Sequence, residues 1–345
     1  MTSEVDLVTG GAGYFGEIVV RKLIAAGRRV RILDLNKPEG YPSSVETVVA
    51  DIRNRAAVRE ACSGVACVYH NVAQVPLAKD KHLFWTVNRD GTESLLAAAQ
   101  AAGARTVVYT SSSAVFGVPD RNPVNEQTKP RPREAYGRAK LEGEHLCTSY
   151  AQSGLDVTII RPRTIVGHGR LGIFQILFEW VRQGQNVPVF GRGDNVYQFV
   201  LSDDLADACL LAARRAGPGV FNIGAESFGT MRETLEGLIR HAGSTSKVKS
   251  VPMGLFTLLM DVSSVLGLSP LGPYHSLMYG RSLYFDISKA KSELGWQPRY
   301  GNVEMICESY DWYLQNRERV LHQSGASAHR SAVRQGALRL LKFVL

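Results

Sequence analysis

The sequence predicts an α/β fold: a doubly wound parallel sheet with a smaller, interleaved C-terminal lobe. Three observations carry that expectation. Short β-branched runs alternate with helical patterns through the first half of the chain, as in a parallel sheet covered by helices on both faces. A glycine-rich turn joins the first strand to the first helix. Beyond Pro162 the alternation gives way to Gly/Pro-punctuated segments such as Val187-Pro-Val-Phe-Gly-Arg-Gly193 and Gly217-Pro-Gly219.

Taken in order, Val5–Thr9 reads as a buried strand and Gly16–Ala26 as an amphipathic helix ending at Gly27. Strands follow at Arg29–Asp34, Thr47–Asp51, Ala66–His70 and Thr106–Thr110, with crossover helices between them. A long helix from about Ala135 through Gln152 starts after the Pro-rich loop Lys129–Arg133, and Val157–Arg161 reads as the sixth strand. Helices are expected again around Met231–Ala242 and Val303–Arg317. The division this implies is a sheet domain over 1–165, a smaller lobe over 166–316 with elements returning to the sheet, and a basic tail over 317–345.

Composition narrows the class. With 345 residues, 45% hydrophobic and 21% charged, the chain has enough apolar material for a sizeable core, which excludes disorder and fibres. It contains no run of about 18 apolar residues, and Met1-Thr-Ser-Glu4 leads straight into an apolar strand. A cytoplasmic enzyme without a secretory leader is the expectation. The five cysteines are odd in number and scattered, as reduced thiols would be. Of the net charge of +8, the residues after Asn316 contribute +5, so the body is too weakly basic for a nucleic-acid surface.

Two segments stand apart. Met253–Leu271 is apolar but interrupted by Asp261, three serines and two glycines, which argues against a membrane span and suits a lid or dimer surface, with an interfacial membrane contact as the alternative. Ser331–Leu345 can be drawn as a basic amphipathic helix, leaving open a peripheral membrane contact beside a disordered or partner-docked tail.

The strongest local signal is Thr9-Gly-Gly-Ala-Gly-Tyr-Phe-Gly16 between a strand and a helix. Glycines there let backbone N–H groups approach a pyrophosphate, and the helix N-terminus adds partial positive charge. Asp34 ends the second strand, where a carboxylate can accept ribose hydroxyls. This is a Rossmann-type dinucleotide site. Asp34 favours NAD because it would repel a 2′-phosphate, while Arg28, Arg29, Arg31 and Lys37 nearby keep NADP open. Asp51-Ile52 is positioned to meet the adenine edge, with an ordinary helix N-cap as the other role for Asp51.

Tyr136-Gly-Arg-Ala-Lys140 puts a phenol and an ammonium on one helical face. A lysine that close should lower the tyrosine pKa and make it a usable proton donor and acceptor. The fifth strand ends in Thr110-Ser-Ser-Ser113, hydroxyls at the carboxyl edge of a parallel sheet.

In this combination and order the chain closely resembles the extended short-chain dehydrogenase/reductases, the NAD-dependent epimerase/dehydratase group, from about Val5 to Tyr313. Further matching pieces are Val68–Ala73, Val87-Asn-Arg-Asp-Gly-Thr92, Ser111–Gly117, Arg161-Pro162, Phe199–Asp204, Phe221–Gly224 and Leu294-Gly-Trp-Gln-Pro298. The resemblance implies that Tyr136 is the acid/base, that Lys140 holds the nicotinamide ribose, and that Ser112, between Ser111 and Ser113, orients the substrate oxygen. Asn88 would complete the polar network. The cofactor would meet Gly10, Gly13, Tyr14, Phe15, Gly16, Asp34, Asp51, Ile52, Ala73, Arg161 and Pro162, besides Tyr136 and Lys140. The family also suggests a homodimer.

The resemblance implies a small-molecule substrate with a secondary hydroxyl or ketone and no metal; His70 and His168 lack partners at ligand spacing. The sugar-nucleotide dehydratases carry an Asp-Glu pair after the catalytic hydroxyl, where this chain has Ser113 and Ala114, so dehydration is rejected. A nucleotide-sugar epimerase is expected first. Against it, the arginine that clamps the substrate pyrophosphate in that group is replaced by Tyr197, with Arg192 or Arg281 as substitutes from elsewhere. Ser113, Tyr197 and Arg281 are the candidate substrate contacts. The alternative is a ketoreductase or dehydrogenase of a hydrophobic substrate, because Met253–Leu271 and Tyr274–Tyr284 resemble the 3β-hydroxysteroid dehydrogenase branch.

Overall fold

The computed structural model describes residues 4–74, 80, 82–170, 173–252 and 280–322. Met253–Leu271, Tyr274 and Ser331–Leu345 lie outside the described residues. The strands are β1 (Val5–Thr9), β2 (Arg29–Asp34), β3 (Glu46–Val49), β4 (Val65–His70), β5 (Thr106–Thr110), β6 (Asp156–Pro162), β7 (Thr164–Val166), β8 (Val187–Phe190), β9 (Val196–Tyr197), β10 (Phe199–Leu201), β11 (Gly219–Ile223), β12 (Gly229–Thr230) and β13 (Val248–Val251). The helices are α1 (Tyr14–Ala25), α2 (Arg55–Cys62), α3 (His82–Trp85), α4 (Thr92–Ala101), α5 (Ala135–Gln152), α6 (Ile173–Arg182), α7 (Ser202–Ala212), α8 (Met231–His241), α9 (Ser288–Leu294) and α10 (Asn302–His322).

Seven parallel strands form the main sheet in the order β11-β6-β5-β4-β1-β2-β3. The chain winds outward one way from β1 through β2 to β3 and the other way from β4 onward. The carboxyl ends of β1 and β4 therefore flank the switch point where open α/β sheets bind ligands. Every residue of β1 is buried because both faces of the sheet are covered. Leu7 faces the side packed by α2, α4 and α5, and Val8 faces the side packed by α1, α7 and α9.

The smaller lobe has its own core, with Phe178, Val187, Phe199, Leu238, Ile306 and Tyr313 meeting from α6, β8, β10, α8 and α10. It is interleaved with the sheet: β11 pairs with β6, and α7 and α9 pack on the face that carries α1. One boundary moves. The tail expected from residue 317 begins inside α10, which continues through His322. The reason is packing: Arg317 bonds Glu179 of α6, and Val320 is buried against the lobe.

Candidate active site

The glycine turn is shaped by what a side chain would strike. Gly10 sits at φ +74°, a left-handed conformation that favours glycine, and a Cβ there would press on the Val72 backbone N at 3.2 Å. A Cβ on Gly16 would overlap the Gly10 carbonyl oxygen, so α1 can start this close to the turn only without one. Gly13 donates to that same carbonyl at 3.0 Å and stands at the N-cap of α1. The result is a tight glycine turn leading into the N-terminus of α1 at the switch point, where the sequence places the expected pyrophosphate.

Asp34 is buried at the end of β2, its carboxylate accepting from Ala12 N at 3.0 Å and Asn36 N at 2.9 Å. It thereby ties the glycine turn to the second strand. Three of the four cations that kept NADP open are committed elsewhere: Arg28 to Asp6 and Glu4, Arg29 and Arg31 to Glu46. The residues present fit NAD, with a carboxylate and no freed arginine where a 2′-phosphate would lie.

Other cofactor expectations change. Asp51 is not an N-cap: Asn54 caps α2 by accepting from Ala56 and Ala57, while the Asp51 carboxylate holds Arg53. The Ile52 side chain is buried in the core, close to Gly91. Tyr14 is buried beneath the Arg170 guanidinium, and Phe15, in the first turn of α1, packs against the core on that side of the sheet. Ala73 lies in the loop after β4, which Asn71 N and Val72 N fasten to Thr9 Oγ1.

At the carboxyl end of β5 the three serines separate by partner. Ser111 donates to Glu144 at 2.5 Å, Ser113 accepts from Arg163 at 2.8 Å, and Ser112 is hydrogen-bonded to Tyr136. Ser112 also caps the short 3₁₀ turn Ser113–Phe116. Tyr136 and Lys140 lie on α5, one turn apart. Lys140 Nζ donates to the Thr110 carbonyl at 2.8 Å and stands 4.9 Å over the Tyr109 ring.

The electrostatics differ from the sequence expectation. Burial pushes Tyr136 up to about 12, with the Ser112 hydrogen bond acting against it and Glu134 adding to the rise. Lys140 is not the group that lowers Tyr136. Its own pKa is brought down to about 8 by burial, because an ammonium loses hydration there faster than its neighbours replace it.

Asn88 lies in the π-helical turn Thr86–Gly91, fully buried, its amide spanning the backbone of Gln74 at 2.6 and 3.0 Å. It braces the loop after β4 against the helix leading to α4. Arg161, expected at the cofactor, instead turns its Nε and Nη2 onto Glu144 at 2.9 and 2.6 Å, a buried ion pair joining β6 to α5. Pro162 ends β6 opposite Ile223. Tyr197 is buried in the lobe core, bonded to Thr164 Oγ1 at 2.7 Å and packed on Phe199. Arg281 is exposed, next to Ser282, whose Oγ accepts from Val196 N of β9.

Sequence reasoning missed three groups, Glu134, Glu144 and Arg163. Glu134 caps α5 by accepting from Tyr136 N and Gly137 N, and an acid directly before a helix was its signal. Glu144 and Arg163 had no local signal, since their partners are 17 or more residues away. His70, buried between Thr9 and Thr92 at 2.7 and 3.0 Å, links β1, β4 and α4 beneath the switch point.

Comparison with known proteins agrees with this geometry. The family model of the NAD dependent epimerase/dehydratase family matches residues 7–224, which include the glycine turn, the serines and the Tyr136/Lys140 pair. An uncharacterized protein (y4nG) of Sinorhizobium fredii is 54% identical over 340 residues, covering 98% of this chain and 86% of that protein. The UDP-glucose 4-epimerase of Thermotoga maritima, solved with UDP-glucose, is similar at TM-score 0.77 and 25% identity, over 91% of this chain and 99% of that one. The UDP-glucose 4-epimerase of Thermus thermophilus, solved with NAD, is similar at TM-score 0.73 and 28% identity, over 90% and 99%. With the family model spanning more than half of its length, the chain belongs to the NAD-dependent epimerase/dehydratase family.

Proposed function

We propose that this protein is a nucleotide-sugar epimerase that interconverts a secondary hydroxyl and a ketone on the sugar. The observation that carries the reading is the Ser112–Tyr136 hydroxyl pair with Lys140 one turn along α5, at the carboxyl edge of β5 beside the glycine turn. The chemistry that bound NAD would supply is reversible hydride acceptance from the reacting carbon. Gly10, Gly13 and Gly16 with Asp34 would hold the NAD.

The rest falls to the chain's own groups. Tyr136 Oη exchanges a proton with the substrate oxygen, and Ser112 Oγ, bonded to Tyr136, orients that oxygen. A phenol pushed up to about 12 holds its proton at neutral pH, so Tyr136 is set to donate; it accepts a proton only as neighbouring donors stabilise the phenolate. Ser112 is one such donor. Lys140, anchored on the Thr110 carbonyl, would hold the nicotinamide ribose from the same helical face. The capped N-terminus of α5 and the Arg161–Glu144 pair fix the helix that carries both side chains.

A second reading, a ketoreductase of a hydrophobic substrate, is favoured by one observation: Tyr197 is buried in the lobe core and leaves no arginine at that position. One experiment separates the two. The purified protein is denatured and the released nicotinamide quantified, and UDP-glucose is offered without added cofactor. Near-stoichiometric NAD together with conversion to UDP-galactose supports the epimerase. Protein that needs NADH or NADPH added for each turnover and ignores nucleotide sugars overturns it.

A further inference from the structure

Arg163 lies between β6 and β7 and is 2% exposed. Its guanidinium stands 4.7 Å over the Tyr197 ring and 5.7 Å from the Phe285 ring. Nη1 donates to Ser113 Oγ at 2.8 Å, while Nε and Nη2 meet no acceptor among the described residues. The rings attract the face of the cation, but the N–H bonds lie in its plane and are left unmet.

The comparison two residues earlier is direct. Arg161 is also buried, and although its Nη1 has no acceptor among the described residues, the same two atoms, Nε and Nη2, grip both oxygens of Glu144. That edge is the fork that takes a planar pair of oxygens. A guanidinium keeps its charge when buried, and a buried charge without such a partner is expensive. The Arg163 fork therefore presents two buried donors for which the described residues supply no acceptor. Its location is set by Ser113, which follows the Ser112 that bonds Tyr136.

We propose that Nε and Nη2 of Arg163 bind a pair of anionic oxygens on the substrate, and that this arginine is the residue selecting for substrates that carry them. The inference rests on the nucleotide-sugar reading. Two parts of such a substrate have the required chemistry: a carboxylate on the sugar, as in a hexuronic acid, and the pyrophosphate.

The test compares the full-length protein with Arg163→Met and Arg163→Lys, measuring KM and kcat with UDP-glucose and UDP-glucuronic acid, binding of UDP, and thermal unfolding without ligand. Arg163→Met should raise KM about 10- to 100-fold, the scale of a lost charged hydrogen-bond pair, with a smaller effect on kcat. Arg163→Lys keeps charge without the fork and should fall between. Unfolding of unliganded Arg163→Met should come at no lower temperature, since a buried unmatched charge has been removed. Loss confined to UDP-glucuronic acid assigns the fork to the sugar carboxylate; equal loss with UDP-glucose, and weaker UDP binding, assigns it to the pyrophosphate. Unchanged KM and UDP affinity, with or without lowered thermal stability, overturn the proposal and leave the epimerase reading standing. If the unaltered protein binds neither nucleotide sugar, both fall.

Discussion

Lys140 makes a prediction that separates its role in the site from its effect on the fold. Burial lowers it from an ordinary 10.5 to about 8, and each pH unit between those values is worth about 1.4 kcal/mol. Holding the ammonium in the fold at neutral pH therefore costs about 3 kcal/mol relative to the unfolded chain. The sign follows from proton counts. Below pH 8 both states are protonated and the whole cost is present. Between pH 8 and 10.5 the unfolded chain holds one more proton than the folded one, so stability rises with pH until the cost is gone. Lys140→Met removes this titration, at the loss of the hydrogen bond to the Thr110 carbonyl, about 1.5–3 kcal/mol at any pH where the lysine is charged. Urea unfolding of both proteins from pH 7 to 10.5 is the assay. The stability of the variant relative to the unaltered protein should fall by about 3 kcal/mol across that range, because only the unaltered protein gains from deprotonation. A difference that stays constant with pH would refute the account of Lys140 as a desolvated ammonium.

Three further outcomes are expected. Tyr136→Phe should lose about 10²- to 10⁴-fold in kcat, the ordinary worth of a positioned acid/base, with NAD affinity measured by calorimetry nearly unchanged; a fully active variant removes the role. Asp34→Ala deletes the acceptor of Ala12 N and Asn36 N and should weaken NAD about tenfold or more while affecting NADP less, a ratio read by fluorescence titration; the reverse order overturns the cofactor preference. Glu144→Leu leaves Arg161 buried and unpaired and takes the acceptor from Ser111, so urea unfolding should report a loss of about 3–5 kcal/mol; a loss below about 1 kcal/mol would show that the pair does not hold α5 in place.

What could be read from the sequence is what short range encodes. The glycine turn, Asp34 and the helix of Tyr136 and Lys140 each announce themselves within a few residues, because turn geometry, strand ends and helical spacing are local properties. The alternation of strands and helices likewise implied a parallel sheet, and right-handed crossovers leave little freedom in how such a sheet is wound. The helix expected from about Ala135 through Gln152 is found over Ala135–Gln152, since a Pro-rich loop ends shortly before it.

Only the tertiary structure decided how the polar side chains are shared out. Three consecutive serines look alike in sequence, but neighbouring elements take Ser111 toward Glu144, Ser113 toward Arg163 and Ser112 toward Tyr136. Two arginines two residues apart, Arg161 and Arg163, receive different circumstances, one paired with a carboxylate through Nε and Nη2 and the other with those two donors unmet among the described residues. Tyr197 packs into the lobe core, and the Tyr136 pKa follows from its burial and not from the spacing of Lys140. The physical reason is common to all of these. Desolvation and hydrogen-bond partnership depend on which distant segments close around a side chain, and periodicity along one segment carries no record of them.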